Sequence, residues 1–384
     1  MRPMIPTLAL AAVVSAQTPR SAMGWGDEIS PADAPSRAMG DAGEALRSDR
    51  SWDPRLEARS AFGSLAALEV QVSPQNTTVS GDGTSGSGSE GRLPRLSLSV
   101  PMGRFGHLGL GYWQRFDRSF DWQSPTDSST QIQGQGGAFE GDLAYGLQVP
   151  GLRGAAAGVT YHRILGTDRI MQVESFQAAD EGVATSYADT IGVRYWGSYW
   201  TGSVYYTHGP FDAGAWLDFA GDVRRTTTLG GTRQQFEQPA PNTVDPPRSA
   251  GFAAAWRVLP RQSVVGDLSW TDWSGAVPGS PDRWKGGLGW QLGAAGDRYD
   301  DFWRRLSWRA GAYGIVGGPD NLLTEAVTAG VGMPMGNLGT LDLSLQVGQN
   351  EVDNGGPALK DSFVRLYVGI TGANAWGRST RSRR

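Results

Sequence analysis

Cysteine is absent from the 384 residues. A secreted chain of this size with no cysteine cannot rely on disulfides, so closure of hydrogen bonds and burial must hold it. Histidine is scarce, with only His107, His162 and His208. No metal-ligand spacing occurs, and neither a metal nor a cofactor is expected. A basic excess is missing: the formal net charge is −4, which argues against a nucleic-acid partner. Long apolar runs are missing as well. No segment approaches the roughly 18 residues of a transmembrane helix. The mean hydropathy of −0.35 is too polar for a helical membrane protein. It suits a transmembrane barrel, in which only every second strand residue meets lipid. There is no blade-length repeat, which disfavours a propeller.

What the chain does have is alternation. In TLDLSLQVGQ, Leu341, Leu343, Leu345 and Val347 share one parity, and Thr340, Asp342, Ser344 and Gln346 share the other. That period of two marks a strand with one apolar and one polar face. FVRLYVGITG repeats it with Val364, Leu366, Val368 and Ile370. The pattern recurs from Ala61 onward and predicts strands over 61–72, 92–100, 107–117, 137–148, 154–165, 188–207, 212–227, 249–258, 263–273, 282–292, 305–315, 325–334, 339–349 and 361–371. Long polar connections alternate with short turns, the rhythm of an outer-membrane barrel. The expected fold is therefore an all-β transmembrane antiparallel barrel of about 14 strands. SPQNTTVSGDGTSGSGSEG, after the first strand, reads as a low-complexity loop with no means of packing.

The N-terminus differs. MRPMIPTLALAAVVSAQ has one charged side chain, Arg2, then an apolar run from Leu8 to Val14 and small residues at Ser15 and Ala16. Residues 1–16 are predicted to be a signal peptide cleaved after Ala16. Residues 17–58 lack alternation and contain Pro31, Pro35 and a helix-like SRAMGDAGEALRSD with Ser36 as its expected N-cap. They are predicted to form a plug before a barrel at 59–372, and residues 373–384 a basic periplasmic tail.

Strand parity assigns faces. Phe252, Ala254, Trp256 and Val258 are predicted outward, as are Trp284, Leu288, Trp290 and Leu292. Arg95, Glu140, Asp142, His162, Asp218, Arg257, Asp267, Lys285, Arg309, Asp342 and Arg365 are predicted to face the lumen. An arginine on the lipid face at mid-membrane would cost on the order of 2–4 kcal/mol, which makes parity a usable guide. Acids and bases are interleaved, which fits a lumen sealed by their pairing, the favoured reading in a narrow space, and also a wet conduit lined by fixed charges. Trp113, Trp196, Trp200, Trp270, Trp273 and Trp308 are expected at the headgroup girdles. Serine and aspartate are plentiful but no motif marks a catalytic triad, and no enzymatic activity or catalytic residue is expected.

Two regions resemble a known family. PSRAMGDAGEALRSDRSWDPRLEA resembles the N-terminal hatch of the FadL-type (long-chain fatty acid transporter) outer-membrane superfamily. Arg37, Gly40 and Gly43 match its pattern, and Asp53-Pro54 stands where Asn-Pro would be. PRSAGFAAAWRVLPRQSVVGDLSWTDWS resembles the family's hairpin ending in Thr-Asp-Trp-Ser. The C-terminal third is similar to the branch related to type IX secretion shuttle proteins. The chain departs from the family in ending in SRR rather than in an aromatic residue. The resemblance implies a barrel of 14 strands whose hatch occludes the lumen, with a lateral gap that releases ligand. It implies passive passage of fatty-acid-like or hydrocarbon molecules across the bacterial outer membrane. The expected partners are outer-membrane lipid and a hydrophobic ligand. The alternatives are a non-transporting barrel that anchors or shuttles a secreted protein of the envelope, and a purely structural barrel.

Overall fold

The computed structural model describes residues 27–48, 52–81, 84–123, 130–177, 184–231, 239–294, 301–319, 321–335, 339–352 and 359–374. The predicted signal peptide, the first part of the predicted plug and nearly all of the basic tail lie outside them. In chain order the strands are β1 (Asp27–Glu28), β2 (Ala66–Gly81), β3 (Thr84–Pro101), β4 (His107–Asp117), β5 (Phe120–Gln123) and β6 (Thr130–Gln148). Then come β7 (Ala155–Gln177), β8 (Ala184–His208), β9 (Phe211–Gly231), β10 (Asn242–Val244), β11 (Arg248–Leu259) and β12 (Gln262–Asp272). The last are β13 (Arg283–Leu292), β14 (Ser307–Gly317), β15 (Leu322–Pro334), β16 (Gly339–Val352) and β17 (Leu359–Asn374). β1, β5 and β10 are short pieces. The other strands form a closed antiparallel barrel of 14, completed where β17 pairs with β2. Among the described residues, no helix is long and apolar enough to cross a membrane.

The alternation in the sequence becomes two faces of the wall. On β16, Leu345 and Val347 are 43% and 44% exposed, while Asp342, Ser344 and Gln346 are buried. Phe252, Trp256, Leu268, Leu288, Val327 and Ile370 stand exposed on the same outer surface. A wall that exposes its large apolar side chains and buries its acids inverts the order of a water-soluble protein. Such an apolar belt is what a bilayer's hydrocarbon requires.

Short turns close one end of the barrel, as between His208 and Phe211 and between Leu259 and Gln262. At the other end the strands outrun the sequence reading. β7 has 23 residues and β8 has 25, whereas a tilted strand needs only about 9–11 to cross a membrane. The polar stretch after the first strand is not a loop, because β2 and β3 stay paired through it from Ser73–Arg92 to Gly81–Thr84. Alternation fades there because neither face is apolar, yet a hairpin ladder needs only backbone groups. The predicted helix is also corrected. It is one turn, α1 (Ala34–Arg37), and its N-cap is Asp33, which accepts the Ser36 N–H at 2.7 Å. Gly40 and Asp41 then take positive φ, which ends any helix.

Leu288 is 69% exposed on the outer belt. Leu288→Arg is expected to destabilise the barrel in phospholipid vesicles by about 2–4 kcal/mol, read by reversible denaturant unfolding. The same substitution in a detergent micelle should cost less.

Candidate functional site

The N-terminal segment, described over 27–48 and 52–62, lies against the inner face of the wall. α1 touches β15, β16 and β17; a second single turn, α2 (Glu57–Ser60), touches β6, β7 and β8. Glycines make room for it. A Cβ at Gly287, Gly289 or Gly311 would overlap the backbone of Met39 or Gly40. A Cβ at Gly158 would overlap Ala58, and one at Gly214 would overlap Leu56. Leu56, Met39 and Ala42 join wall residues Tyr205, Trp216, Ala253 and Val265 in one apolar cluster.

Polar groups complete the seat. Asp267 accepts the backbone N–H groups of Gly43 (2.8 Å) and Glu44 (3.0 Å). Arg95 donates to the carbonyls of Pro31 and Trp52 and lies 3.5 Å from Glu69. Thr328 accepts from the Gly40 N–H at 2.8 Å, and Gln346 donates to the Arg37 carbonyl at 3.1 Å. The Thr160 hydroxyl donates to the Pro54 carbonyl at 2.6 Å. Lys285 pairs with Asp41, which also faces Arg37 at 3.4 Å. Arg37 in turn stacks over Tyr367. Glu57 accepts from Trp52 and meets His107 at 3.0 Å. Asp53 accepts the Arg55 N–H at 2.8 Å, and the Arg55 side chain pairs with Glu44.

The wall loses its ladder at one edge, and this segment covers it. β3 and β4 pair only from Pro101–His107 up to Arg95–Trp113. Beyond that, β4 pairs with β1, with Asp27 opposite Asp117 and Glu28 opposite Phe116. The Ile29 N–H donates to the Arg115 carbonyl at 2.8 Å. Asp27 is gripped by Arg365 (3.3 Å) and Arg92 (3.7 Å), and Arg92 also reaches Asp117. Inside this edge lies an apolar cluster of Phe116, Ile164, Val193, Tyr199 and Trp273, with Phe116 edge-on to Trp273.

A second network stands on β6, β7 and β8. Asp142 and Glu140 sit two apart on β6, and His162 lies opposite Asp142 on β7. His162 Nδ1 is 2.7 Å from Asp142, and Nε2 is 2.8 Å from the Thr201 hydroxyl. Thr201 donates to Asp218 at 2.6 Å, so its proton is already committed. One donor atom each of Glu140, Asp142 and His162 lies within 4.8 Å of the others, a grouping that crosses two strands and has no signature in sequence spacing. Arg115 pairs with Glu140 and the Tyr199 hydroxyl donates to it, so these groups already satisfy one another.

The other predicted lumen residues fall as follows. Arg309 pairs with Asp342 at 2.6 Å and donates to Gln291 at 2.9 Å. Arg365 donates to Gln75 at 3.0 Å. Arg257 sits half-exposed at the short-turn rim, 3.8 Å from the buried Asp212, and donates to the Gly209 carbonyl at 2.7 Å. Trp113 and Trp273, expected at a girdle, are buried inside the wall, whereas Trp196, Trp200 and Trp308 are exposed. Parity held the signal for Trp113, which shares its face with Arg115 and not with Leu110 and Tyr112. Arg92, Arg115 and Arg283 carry much of the pairing and were not singled out from the sequence. Between the segment and the strand ends opposite the short turns lies a cavity of about 90 Å3, lined by Arg115, Asp218, Arg283, Lys285 and Asn350 among others.

Burial alone would push the Asp41 carboxyl up, but Lys285 and Arg37 hold it well below the usual carboxylate range. Burial dominates at Glu57 and raises it, against the opposing pull of His107 and Trp52. A depressed carboxyl contributes stability above its unfolded pKa of about 4, and that contribution is lost as pH falls further. Asp41→Asn leaves Lys285 and Arg37 facing no carboxylate and is expected to cost about 3–5 kcal/mol at pH 7. Denaturant unfolding should show the gap between variant and parent closing as pH drops below about 4.

No protein-family model matches the chain, and no curated protein matches it. Solved structures do. The Pseudomonas putida toluene transporter TodX superposes with a TM-score of 0.63 at 14% identity, over 92% of this chain and 100% of that one. The Ralstonia pickettii toluene transporter TbuX gives 0.61 at 14% identity, over 90% and 98%. A Pseudomonas aeruginosa FadL homologue gives 0.61 at 13% identity, over 91% and 100%. The chain thus shares, along nearly its whole length, the barrel fold of these proteins.

Proposed function

We propose that this chain is an outer-membrane barrel for passive transport of small hydrophobic molecules, of the fatty-acid or hydrocarbon class. Residues 17–58 act as its hatch, after a signal peptide removed at Ala16 on the way to the outer membrane. The observation that carries this reading is the edge between β3 and β4, where the ladder stops and β1 stands in for it. A hydrophobic solute cannot travel along the ion-paired lumen without stripping charges. It can rest on the apolar patch around Phe116 and Trp273 and leave sideways into lipid once β1 withdraws. The likeness to transporters of toluene supports the substrate class. A solute-transporting channel asks no catalytic step of these side chains.

A second reading is favoured by the paired lumen itself: a barrel that anchors or passes on an envelope protein and carries no solute. The similarity of the C-terminal third to type IX shuttle proteins belongs with it.

The test exploits the absence of cysteine. Glu28→Cys and Phe116→Cys put two thiols at directly opposed positions of antiparallel strands, within disulfide reach. In proteoliposomes the oxidised variant should take up toluene at the protein-free rate, and reductant should raise uptake to that of the Phe116→Cys variant alone, which carries whatever loss comes from the apolar patch. Equal uptake in both redox states would rule out exit past β1. No uptake by the parent chain for any alkyl or aromatic solute would sink transport altogether.

A further inference from the structure

We infer that the outer surface of β7, β8 and β9 carries a binding site for the phosphorylated headgroup of an outer-leaflet glycolipid. The inference rests on the outer-membrane reading above. Four arginines point away from the lumen in neighbouring rows of this surface. Arg163 lies opposite Ser198, Arg194 opposite Thr167, and Arg169 opposite Gly192, while Arg224 stands across from Trp196. Rows are about 7 Å apart along a strand and strands about 5 Å apart, so Arg169 and Arg194 stand about 9 Å apart, as do Arg194 and Arg224, while Arg163 lies about 20 Å from Arg169 on the membrane side. Arg169, Arg194 and Arg224 are exposed. None of the four is ion-paired among the described residues. Asp222, opposite Ser198, is the acid at the edge of the patch.

The height of the patch tells which chemistry it meets. Below it the outer surface is apolar and aromatic: Trp196, Trp200, Val204 and Tyr206 are exposed, and Tyr161 leans on Trp200. The belt on β7 runs from Ala155, opposite Tyr206, to Leu165, opposite Trp196. That is about ten residues, or roughly 25 Å along the membrane normal at a tilt near 40°. It matches the height of a hydrocarbon band, so Arg194 and Arg169 stand above its upper limit, Arg224 at it, and Arg163 two residues inside it. Arg163 reaches toward that limit, its guanidinium 3.8 Å over the Trp196 ring. The end concerned lies opposite the short turns and is the outer one.

The shape suits a branched anion. Arg169 and Arg194 flank a shallow depression of about 840 Å3, walled also by Thr167 and Thr226, with Gly192 at its floor beneath the Thr228 hydroxyl, which donates to the Gly192 carbonyl at 3.3 Å. Guanidinium forks and hydroxyl donors converging on a concave floor are what a phosphate oxygen cluster needs. The patch is local. At the same level across the barrel, Glu325 lies opposite Gln349 and Lys360 is paired with Glu351. At the opposite rim, Arg257 and Arg261 spend their donors on the carbonyls of Gly209 and Gly293.

The test takes the full chain folded in neutral detergent, with heat-modifiable gel mobility as the folding control. Retained lipid is read by native mass spectrometry against three probes: bisphosphorylated lipid A, the same lipid stripped of phosphate, and inorganic phosphate as competitor. The parent and the R169K/R194K variant should retain the bisphosphorylated lipid. R169Q/R194Q should weaken retention on the order of tenfold or more. The stripped lipid should be held weakly, and millimolar phosphate should not displace the intact one. Equal retention by the glutamine variant, or of the stripped lipid, would overturn the site. Full displacement by inorganic phosphate would assign it to a free anion and overturn the lipid. A chain that never inserts into phospholipid vesicles would overturn the membrane reading as well; insertion without a phosphate preference would overturn this site alone.

Discussion

Closure of the backbone ladder is the constraint from which the rest follows. Once β17 pairs with β2, the wall can face hydrocarbon, because its strands pair around the whole ring, with β1 standing in where the β3–β4 ladder stops. Closure also fixes what lies inside. Side chains of one parity must share a narrow space with one another, and here they are Arg95, Glu140, Asp142, His162, Asp342 and their neighbours. Charges shut away from water are tolerable only when paired and hydrogen-bonded, and the lumen is laid out as pairs.

The inner segment fits because the wall gives way to it. Gly287, Gly289 and Gly311 remove side chains where Met39 and Gly40 come closest, and Asp267 offers its carboxylate to two consecutive N–H groups of the Gly43 turn. Backbone-to-backbone fit of this kind tolerates little sideways motion. The apolar contacts around Leu56 and the ionic contacts around Asp41 therefore act on one insert, whereas β1, paired with β4 over only two residues, is the part of the segment most easily parted from the wall.

Much of this was legible in the sequence. The barrel, its strand number and the side each strand turns to water or lipid follow from period two, as on β16, where one leucine-valine face alternates with Asp342, Ser344 and Gln346. Alternation stopped being readable where both faces turned polar, which is why Ser73 to Gly91 looked like a loop and is a continuing hairpin. Positions on one strand were legible, but relations between strands were not. That Asp142 faces His162, that Arg115 meets Glu140, and that Asp27 reaches both Arg92 and Arg365 depend on register, which no single strand encodes. The Asp33 cap has a local reason: Ser36 looks like a cap by type, while Asp33 is the residue whose carboxylate reaches forward to accept the Ser36 N–H.

Asp27 has one further consequence. Its carboxylate holds Arg92 on β3 and Arg365 on β17, and those strands flank β2 on either side. The junction between β2 and β17 is where the two ends of the barrel sequence meet, and the chain must bring together strands almost 300 residues apart to form it. Pairing across so long a stretch of chain carries a large loop-closure cost. A clasp at the start of the described chain bridges that junction from within. One acid near the start of the described chain thus fastens the seam that its last described strand closes.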